Sequence, residues 1–168
     1  HGFGPARKRV YINRWLADHK YLALNSGHAW MSVQAGIEEA LKRLDVFGLR
    51  HRLLPKGLRS TRAEMIRKVA QAPWIDWPFT RAYVPFGTTY ASLYVNLAGR
   101  ENQGYVAESD YESLRSELID HLPMLVDPST GQSVVAEVYR REDVFSGPAV
   151  PELPDLMVRP YGGYLLET

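Results

Sequence analysis

Apolar residues recur every three or four positions in three stretches of the chain, at about residues 32–48, 61–73 and 109–123. This spacing places the apolar side chains on one face of a helix, so each stretch is predicted to be an amphipathic helix. The apolar face of the third helix consists of Tyr111, Leu114, Leu118 and Leu122. Pro123 is expected to end or kink this helix, because proline lacks the backbone donor that a helix interior needs.

Polar residues at two positions predict where helices begin. Asn13 suits the N-cap of a short helix near the start of the chain, and this helix is expected to bury Trp15 and Leu16. The pattern Ser109-x-x-Glu112 is typical of a capping box, in which each side chain accepts a hydrogen bond from the backbone of the other residue. Both patterns predict helix starts whose free N–H groups are satisfied locally.

Stretches that are rich in β-branched or aromatic residues predict four strands, at about residues 82–84, 92–97, 133–139 and 155–158. The chain is expected to turn between the first two strands at residues 87–89 and before the third at Asp127-Pro128-Ser129-Thr130-Gly131. Aromatic residues also crowd the segment from Trp74 to Gly99. They could stack a base or a sugar, but aromatic residues in strands more often fill a core, and we favour that reading.

The composition fits one domain with a sizeable core: 168 residues, of which 45% are hydrophobic and 23% charged. A net charge of +1 indicates no particular partner. The absence of cysteine excludes disulfides and cysteine chemistry but does not assign a compartment, although the cytoplasm is favoured. No apolar run approaches the roughly 18 residues of a membrane span. Alternating helices and strands predict an α/β fold.

A basic stretch from Arg50 to Arg62, interleaved with leucines, lies between the first two predicted amphipathic helices. It could bind an anionic substrate or nucleic acid, but basic side chains more often lay their stems over apolar surface and keep their charges in water. We favour this second reading, so nucleic acid is not an expected partner. The stretch belongs to a predicted small insertion at about residues 26–73 that covers the core of a single domain, residues 1–168.

Several short motifs, spread from one end of the chain to the other, together resemble one family. These motifs are His1-Gly2-Phe3-Gly4-Pro5, Asn13-Arg14-Trp15-Leu16, Thr80-Arg81-Ala82-Tyr83, Leu93-Tyr94-Val95-Asn96-Leu97, Gly99-Arg100-Glu101, Asp127-Pro128 with Thr130-Gly131, Val138-Tyr139-Arg140-Arg141-Glu142 and Pro154-Asp155-Leu156-Met157-Val158. In order and spacing they resemble the predicted phosphohydrolases and phosphomutases of the alkaline phosphatase superfamily, relatives of nucleotide pyrophosphatase/phosphodiesterases. The resemblance implies strands from the central sheet of an alkaline phosphatase-like three-layer core, with a small helical insertion.

The resemblance also implies two divalent metal ions, zinc or manganese, and a small phosphate-ester substrate. In the family, the segment that resembles the start of this chain reads Ser-Asp-His-Gly, and its Asp and His bind one metal. His1 would be that metal ligand here. A two-metal site polarises the phosphoryl group and clamps the attacking and leaving oxygens in line. The nucleophile and the other ligands cannot be located, so the chain is expected to be a segment that is inactive by itself.

Asn96 and Arg100 are the candidates for substrate contact, because a comparable stretch lies near the catalytic pocket in the related families. Arginine suits phosphate because its planar donors can bind two oxygens at once. Arg100 could equally pair with a nearby carboxylate, Glu101 or Glu108. A different class of function also stays open, in which the chain is a non-catalytic cap or anion-binding module.

Overall fold

The structure is a computed structural model, and it describes residues 8–25, 74–85, 87 and 89–168. The chain divides into two compact units, His1–Ala23 with Ile75–Thr168, and Leu24–Trp74. The predicted insertion at about residues 26–73 falls inside the second unit and outside the described residues. The two helices predicted at 32–48 and 61–73, and the basic stretch between them, therefore stay predictions.

Four antiparallel strands form the larger sheet: β2 Ala82–Tyr83, β3 Ala91–Val95, β4 Val135–Arg140 and β5 Leu156–Pro160. The strands lie in the order β2-β3-β5-β4, so β5, near the end of the chain, lies between β3 and β4. Every residue of β3 is buried, which explains its nearly continuous apolar sequence. All four predicted strands are confirmed in place, although their ends differ by a few residues.

Two further strands pair in parallel: β1 Lys8–Tyr11 and β6 Tyr164–Glu167. The register places Tyr11 beside Glu167 and Arg9 beside Leu165, and Arg9 Nε lies 3.3 Å from Glu167 Oε1. Neither strand was predicted from the sequence. Both are only four residues long and mix charged with apolar residues, so they lack the alternation that marks a strand.

Three α-helices lie within the described ranges: α1 Ile12–Asp18, α2 Tyr111–His121 and α3 Arg141–Val144. The predicted apolar face of α2 is confirmed, because Tyr111, Leu114, Leu118 and Leu122 are all buried. The prediction that Pro123 ends this helix is also confirmed, since a 3₁₀ turn at Leu122–Met124 follows directly. Trp15 and Leu16 of α1 are buried as predicted.

Both predicted N-caps are wrong. Asn13 lies inside α1, and its side chain bonds instead to the backbone of Val84, with Nδ2 donating to the carbonyl at 2.8 Å and Oδ1 accepting from the N–H at 3.0 Å. Asp110 occupies the N-cap of α2 and makes no side-chain capping bond. The hydroxyl of Ser109 donates to Asp110 Oδ1 at 3.2 Å rather than serving the helix.

The end of α1 is a Schellman motif, a turn that satisfies two helix carbonyls through a residue with positive φ. Lys20 holds this position with φ of 63°, the only positive φ of a non-glycine residue in the described parts of the chain. Its N–H donates to Ala17 O at 3.0 Å, and the N–H of Tyr21 donates to Leu16 O at 2.8 Å. The Tyr21 ring then stacks on Trp15, with centroids 6.0 Å apart. The turn therefore fixes where Tyr21 enters the core.

The described residues thus mix helices with two sheets, which agrees with the predicted α/β class. The finer expectation of a three-layer alkaline phosphatase-like core stays a prediction. Among the described residues, no helix is long and apolar enough to cross a membrane.

Candidate functional site

Asp155 is the centre of the largest polar network in the described part of the chain. It lies just before β5 and is 0% exposed. Its Oδ1 accepts hydrogen bonds from the hydroxyl of Tyr111 at 2.5 Å and from Arg141 Nη1 at 3.1 Å. Its Oδ2 accepts from the backbone N–H of Val95 at 2.7 Å, and Arg100 donates to both oxygens at 2.7 Å. A buried carboxylate needs such partners, because an unpaired buried charge is very costly.

Arg100 uses all its donor atoms within the protein. Besides its two bonds to Asp155, it donates from Nη2 to Val95 O at 2.6 Å and from Nε to Glu101 Oε1 at 3.2 Å. The pairing with Glu101 that the sequence suggested is therefore present. Burial lowers the pKa of Arg100, but the bonds to Asp155 outweigh it and raise the pKa above its usual value. Its side chain keeps 27% of its surface exposed. Contact between Arg100 and a substrate stays a prediction.

Arg141 connects Asp155 to a second group of charges. Its Nη1 donates to Pro151 O at 3.0 Å as well as to Asp155, and its Nε donates to Glu142 Oε1 at 2.9 Å. Glu142 also accepts hydrogen bonds from Arg115 of α2. Desolvation opposes ionisation of Glu142, but the bonds from Arg115 and Arg141 lower its pKa to about 2. The network therefore joins α2, α3 and the segment before β5.

Arg115 is the deepest arginine of this network, with a side chain that is 3% exposed. It pairs with Glu112 at 2.8 Å and lies over the ring of Tyr111, 5.0 Å from the ring centroid. Its Nε is the one buried side-chain polar atom of the described residues without a hydrogen-bond partner. The other polar contacts of Arg115 are ion pairs with Glu112 and Glu142, so its side chain links α2 to α3.

Asn96, the other candidate for substrate contact, is 1% exposed and follows β3. Its Nδ2 donates to Trp77 O at 3.0 Å, Thr80 O at 2.9 Å and Gln103 O at 3.0 Å. Its backbone carbonyl accepts hydrogen bonds from the backbone N–H groups of Tyr105 and Val106, both at 2.9 Å. Asn96 therefore joins the turn at residues 77–80 to the loop at residues 97–106. Direct contact with a substrate stays a prediction.

A second cluster of ionisable groups lies where α1 ends. The hydroxyl of Tyr21 donates to Glu117 Oε1 at 2.9 Å and lies 2.6 Å from His121 Nδ1. Arg81 Nη2 donates to Glu117 Oε2 at 2.9 Å, and its guanidinium lies 5.4 Å from the Tyr21 ring centroid. Glu117 and His121 lie one helical turn apart on α2, a spacing that allows a direct pair. The structure places Tyr21 between them, so the two are linked through its hydroxyl.

No local pattern signals the partners of Asp155 or of Glu117. Tyr111 was predicted only as a member of an apolar helix face, and no role was predicted for Tyr21. Their hydroxyls meet carboxylates 44 and 96 residues away in the chain. Burial and the hydrogen bond to Asp155 raise the pKa of Tyr111, and burial with the bond to Glu117 does the same for Tyr21. Both tyrosines are thus held in their neutral, donating form.

His1, the predicted metal ligand, lies outside the described residues. Within residues 8–25, 74–85, 87 and 89–168, no group of three or more His, Asp or Glu side chains is arranged to hold a metal ion. Since zinc prefers about four nitrogen, oxygen or sulfur ligands, the described donors do not fit the metal centre that the resemblance implies. The described residues do not supply such a metal site, so the site stays a prediction.

Comparison of the chain with protein-family models, with curated proteins and with solved structures finds no match.

Proposed function

We propose that this chain is a segment of a metal-dependent phosphohydrolase, phosphodiesterase or phosphomutase that acts on phosphate esters, and that it does not turn over substrate alone. Its strands would belong to the central sheet of a three-layer core. One observation supports the proposal. Segments that carry the sequence resemblance, but lie far apart in the chain, supply Val95, Arg100 and Arg141, and all three bind the carboxylate of Asp155. Four of the segments that carry the resemblance therefore contribute to one hydrogen-bonded network.

This network gives Arg100 and Asn96 a common role as positioning residues. Both fix the loop that follows β3, Arg100 through Asp155 and Asn96 through carbonyl groups on either side. A loop held by a rigid scaffold is a usual place for binding residues. In the proposed enzyme, Asn96 and Arg100 hold this loop in position, and the loop in turn contacts the substrate.

The test compares this chain with one extended at both ends by the sequence that flanks it. Both are assayed with para-nitrophenyl phosphate and bis-para-nitrophenyl phosphate, with zinc or manganese added. We expect hydrolysis only by the longer chain, and we expect His1→Ala to abolish it because the change removes a metal ligand. His19→Ala in the longer chain is the matched control, since His19 is an exposed histidine whose side chain, among the described residues, bonds to Trp15 O at 2.9 Å and stacks on the Trp15 ring.

Two results would change the proposal. Metal-dependent turnover by the short chain would show that the segment already holds a complete site. Absence of turnover by both chains would favour the cap or anion-binding module, for which the basic stretch is the predicted contact. That module would bind heparin with an affinity that falls steeply with salt, because binding releases counterions. Arg52→Ala or Arg59→Ala would then weaken binding, whereas His1→Ala would not.

A further inference from the structure

The loop between Leu97 and Val106 is fixed at both ends. These two residues form a parallel bridge, and the N–H groups of Tyr105 and Val106 both donate to Asn96 O at 2.9 Å. Gly104 brings the loop against its own start so closely that an added Cβ would lie 2.2 Å from Leu97 O. The loop is therefore preorganised, and a ligand that contacts it would not have to order it first.

This loop and the neighbouring turn present two exposed aromatic rings. Phe79 is 64% exposed and Tyr105 is 52% exposed, and their centroids lie 6.5 Å apart with the planes tilted by 45°. Asn96 holds both backbones, because its side-chain amide donates to Trp77 O and Thr80 O around Phe79, while its backbone carbonyl accepts from the N–H of Tyr105. Exposed aromatic rings on a rigid frame indicate a binding surface more strongly than exposed polar residues do, because folding usually buries such rings.

Two exposed amide side chains lie in the same loop as Tyr105. Asn102 and Gln103 are exposed, and within the described ranges their side-chain amides make no hydrogen bond. The hydroxyl of Tyr105 and one carboxylate oxygen of Glu101 are likewise without a bond to the described residues. The loop that carries the Tyr105 ring thus also carries exposed amide donors and acceptors.

We propose that Phe79, Tyr105 and the amides of Asn102 and Gln103 form a binding site for a neutral saccharide. The apolar C–H face of a sugar ring packs on aromatic rings, while its hydroxyl groups need neighbouring donors and acceptors such as amides. A flat base would favour a slot between nearly parallel rings, but these rings are tilted by 45°. This inference rests on the described loop and does not depend on phosphoryl chemistry.

The test measures binding of maltotriose and cellotriose to the full chain by saturation-transfer NMR. We expect dissociation constants on the order of millimolar, with transfer to the ring C–H protons. Replacing both rings, Phe79→Ala with Tyr105→Ala, is expected to weaken binding about tenfold, from the loss of two ring contacts. Gln103→Ala is expected to weaken it about fivefold, from the loss of one hydrogen bond.

Tyr161→Ala is the matched control, because Tyr161 is 53% exposed and no other ring stacks on it in the described part of the chain. This variant is expected to bind both sugars like the unchanged protein. Three results would overturn the proposal: no transfer to either trisaccharide, binding that survives loss of both rings, or equal weakening by Tyr161→Ala. Binding of free adenine in place of the sugars would also overturn it and would assign the rings to a base.

Discussion

Two carboxylates in this protein bind the same kinds of donor but differ in burial. Asp155 accepts from two arginines and from Tyr111, and it is fully buried. Glu117 accepts from Arg81 and Tyr21, and its side chain keeps 36% of its surface exposed. Similar contacts can therefore have very different consequences for stability, because water can reach the Glu117 carboxylate and replace its partners but cannot reach the buried carboxylate of Asp155.

The difference concerns what remains after a partner is removed. Arg100 and Arg141 both pair with Asp155, and their side chains are only 27% and 13% exposed. Loss of the Asp155 charge therefore leaves two partly buried positive charges without their shared anion. Breaking a buried pair typically costs about 3–5 kcal/mol, because an uncompensated charge stays behind. Without the Glu117 charge, Arg81 turns to water, and exposed pairs contribute only about 0–1 kcal/mol.

The largest expected effect comes from Asp155→Asn. We expect it to lower the free energy of unfolding by about 3–5 kcal/mol, since an amide removes the charge that both arginines need. This loss is a large part of the roughly 5–15 kcal/mol that holds a typical domain folded. Urea denaturation followed by circular dichroism measures it.

Glu117→Gln is the control for this prediction, because it makes the same chemical change at the exposed carboxylate. We expect a loss of about 1 kcal/mol or less. Equal losses in the two variants would show that burial does not distinguish the two networks. If Asp155→Asn does not fold at all, Asp155→Glu keeps the charge and is expected to fold with a smaller loss.

The two networks also show which features the sequence predicts. The face of α2 and the strands β3 and β5 follow local patterns, because apolar periodicity reports which side of an element is buried. The predicted positions of Leu114 and Leu118 were right for this reason. Such patterns carry no information on which polar groups meet. Tyr111 reads as one more apolar residue, and its bond to Asp155 depends on how α2 packs beside the sheet.

The wrong cap at Asn13 has the same cause. Asn13 and Ser109 are the residue types that usually cap a helix locally, but Asn13 bonds to Val84, 71 residues away. Tertiary packing provides that alternative partner, and no local pattern signals it. The candidate residues Asn96 and Arg100 were picked from a resemblance, and the structure adds the partners that hold them: three carbonyl groups for Asn96, and Asp155, Glu101 and a carbonyl for Arg100.

A second matched pair of variants removes only one hydroxyl from each network. Tyr111→Phe deletes the 2.5 Å bond to Asp155, and we expect a loss of about 1.5–3 kcal/mol, as for a hydrogen bond to a buried charge. Tyr21→Phe deletes the bond to Glu117, and we expect about 1 kcal/mol or less, because water can reach this carboxylate. Urea midpoints measured at neutral pH compare the two. A larger loss for Tyr21→Phe would reverse the ranking of the networks.

Acid provides a test at Glu142, whose side chain is 46% exposed, more than that of Glu117, but is paired with two arginines. Its pKa falls from 4.5 to about 2 in the folded protein. A lowered pKa means that its contribution is complete above pH 4.5 and is lost as the pH falls toward about 2. As the pH is lowered through this window, we expect the urea midpoint of Glu142→Gln to fall less than that of the unchanged protein. An unchanged slope would show that Glu142 does not contribute.

The smallest expected effect concerns the turn that delivers Tyr21 to the exposed network. Lys20 has φ of 63°, a conformation that costs a side-chain-bearing residue about 1–2 kcal/mol and glycine very little. Glycine loses about 0.5–1 kcal/mol through its freedom in the unfolded chain. Lys20→Gly is therefore expected to raise the free energy of unfolding by about 0.5–1 kcal/mol. Lys20→Ala removes the same charge but keeps the Cβ, so it should give no gain. A gain from Lys20→Ala equal to that from glycine would assign the effect to charge and show that the turn holds Tyr21 without strain.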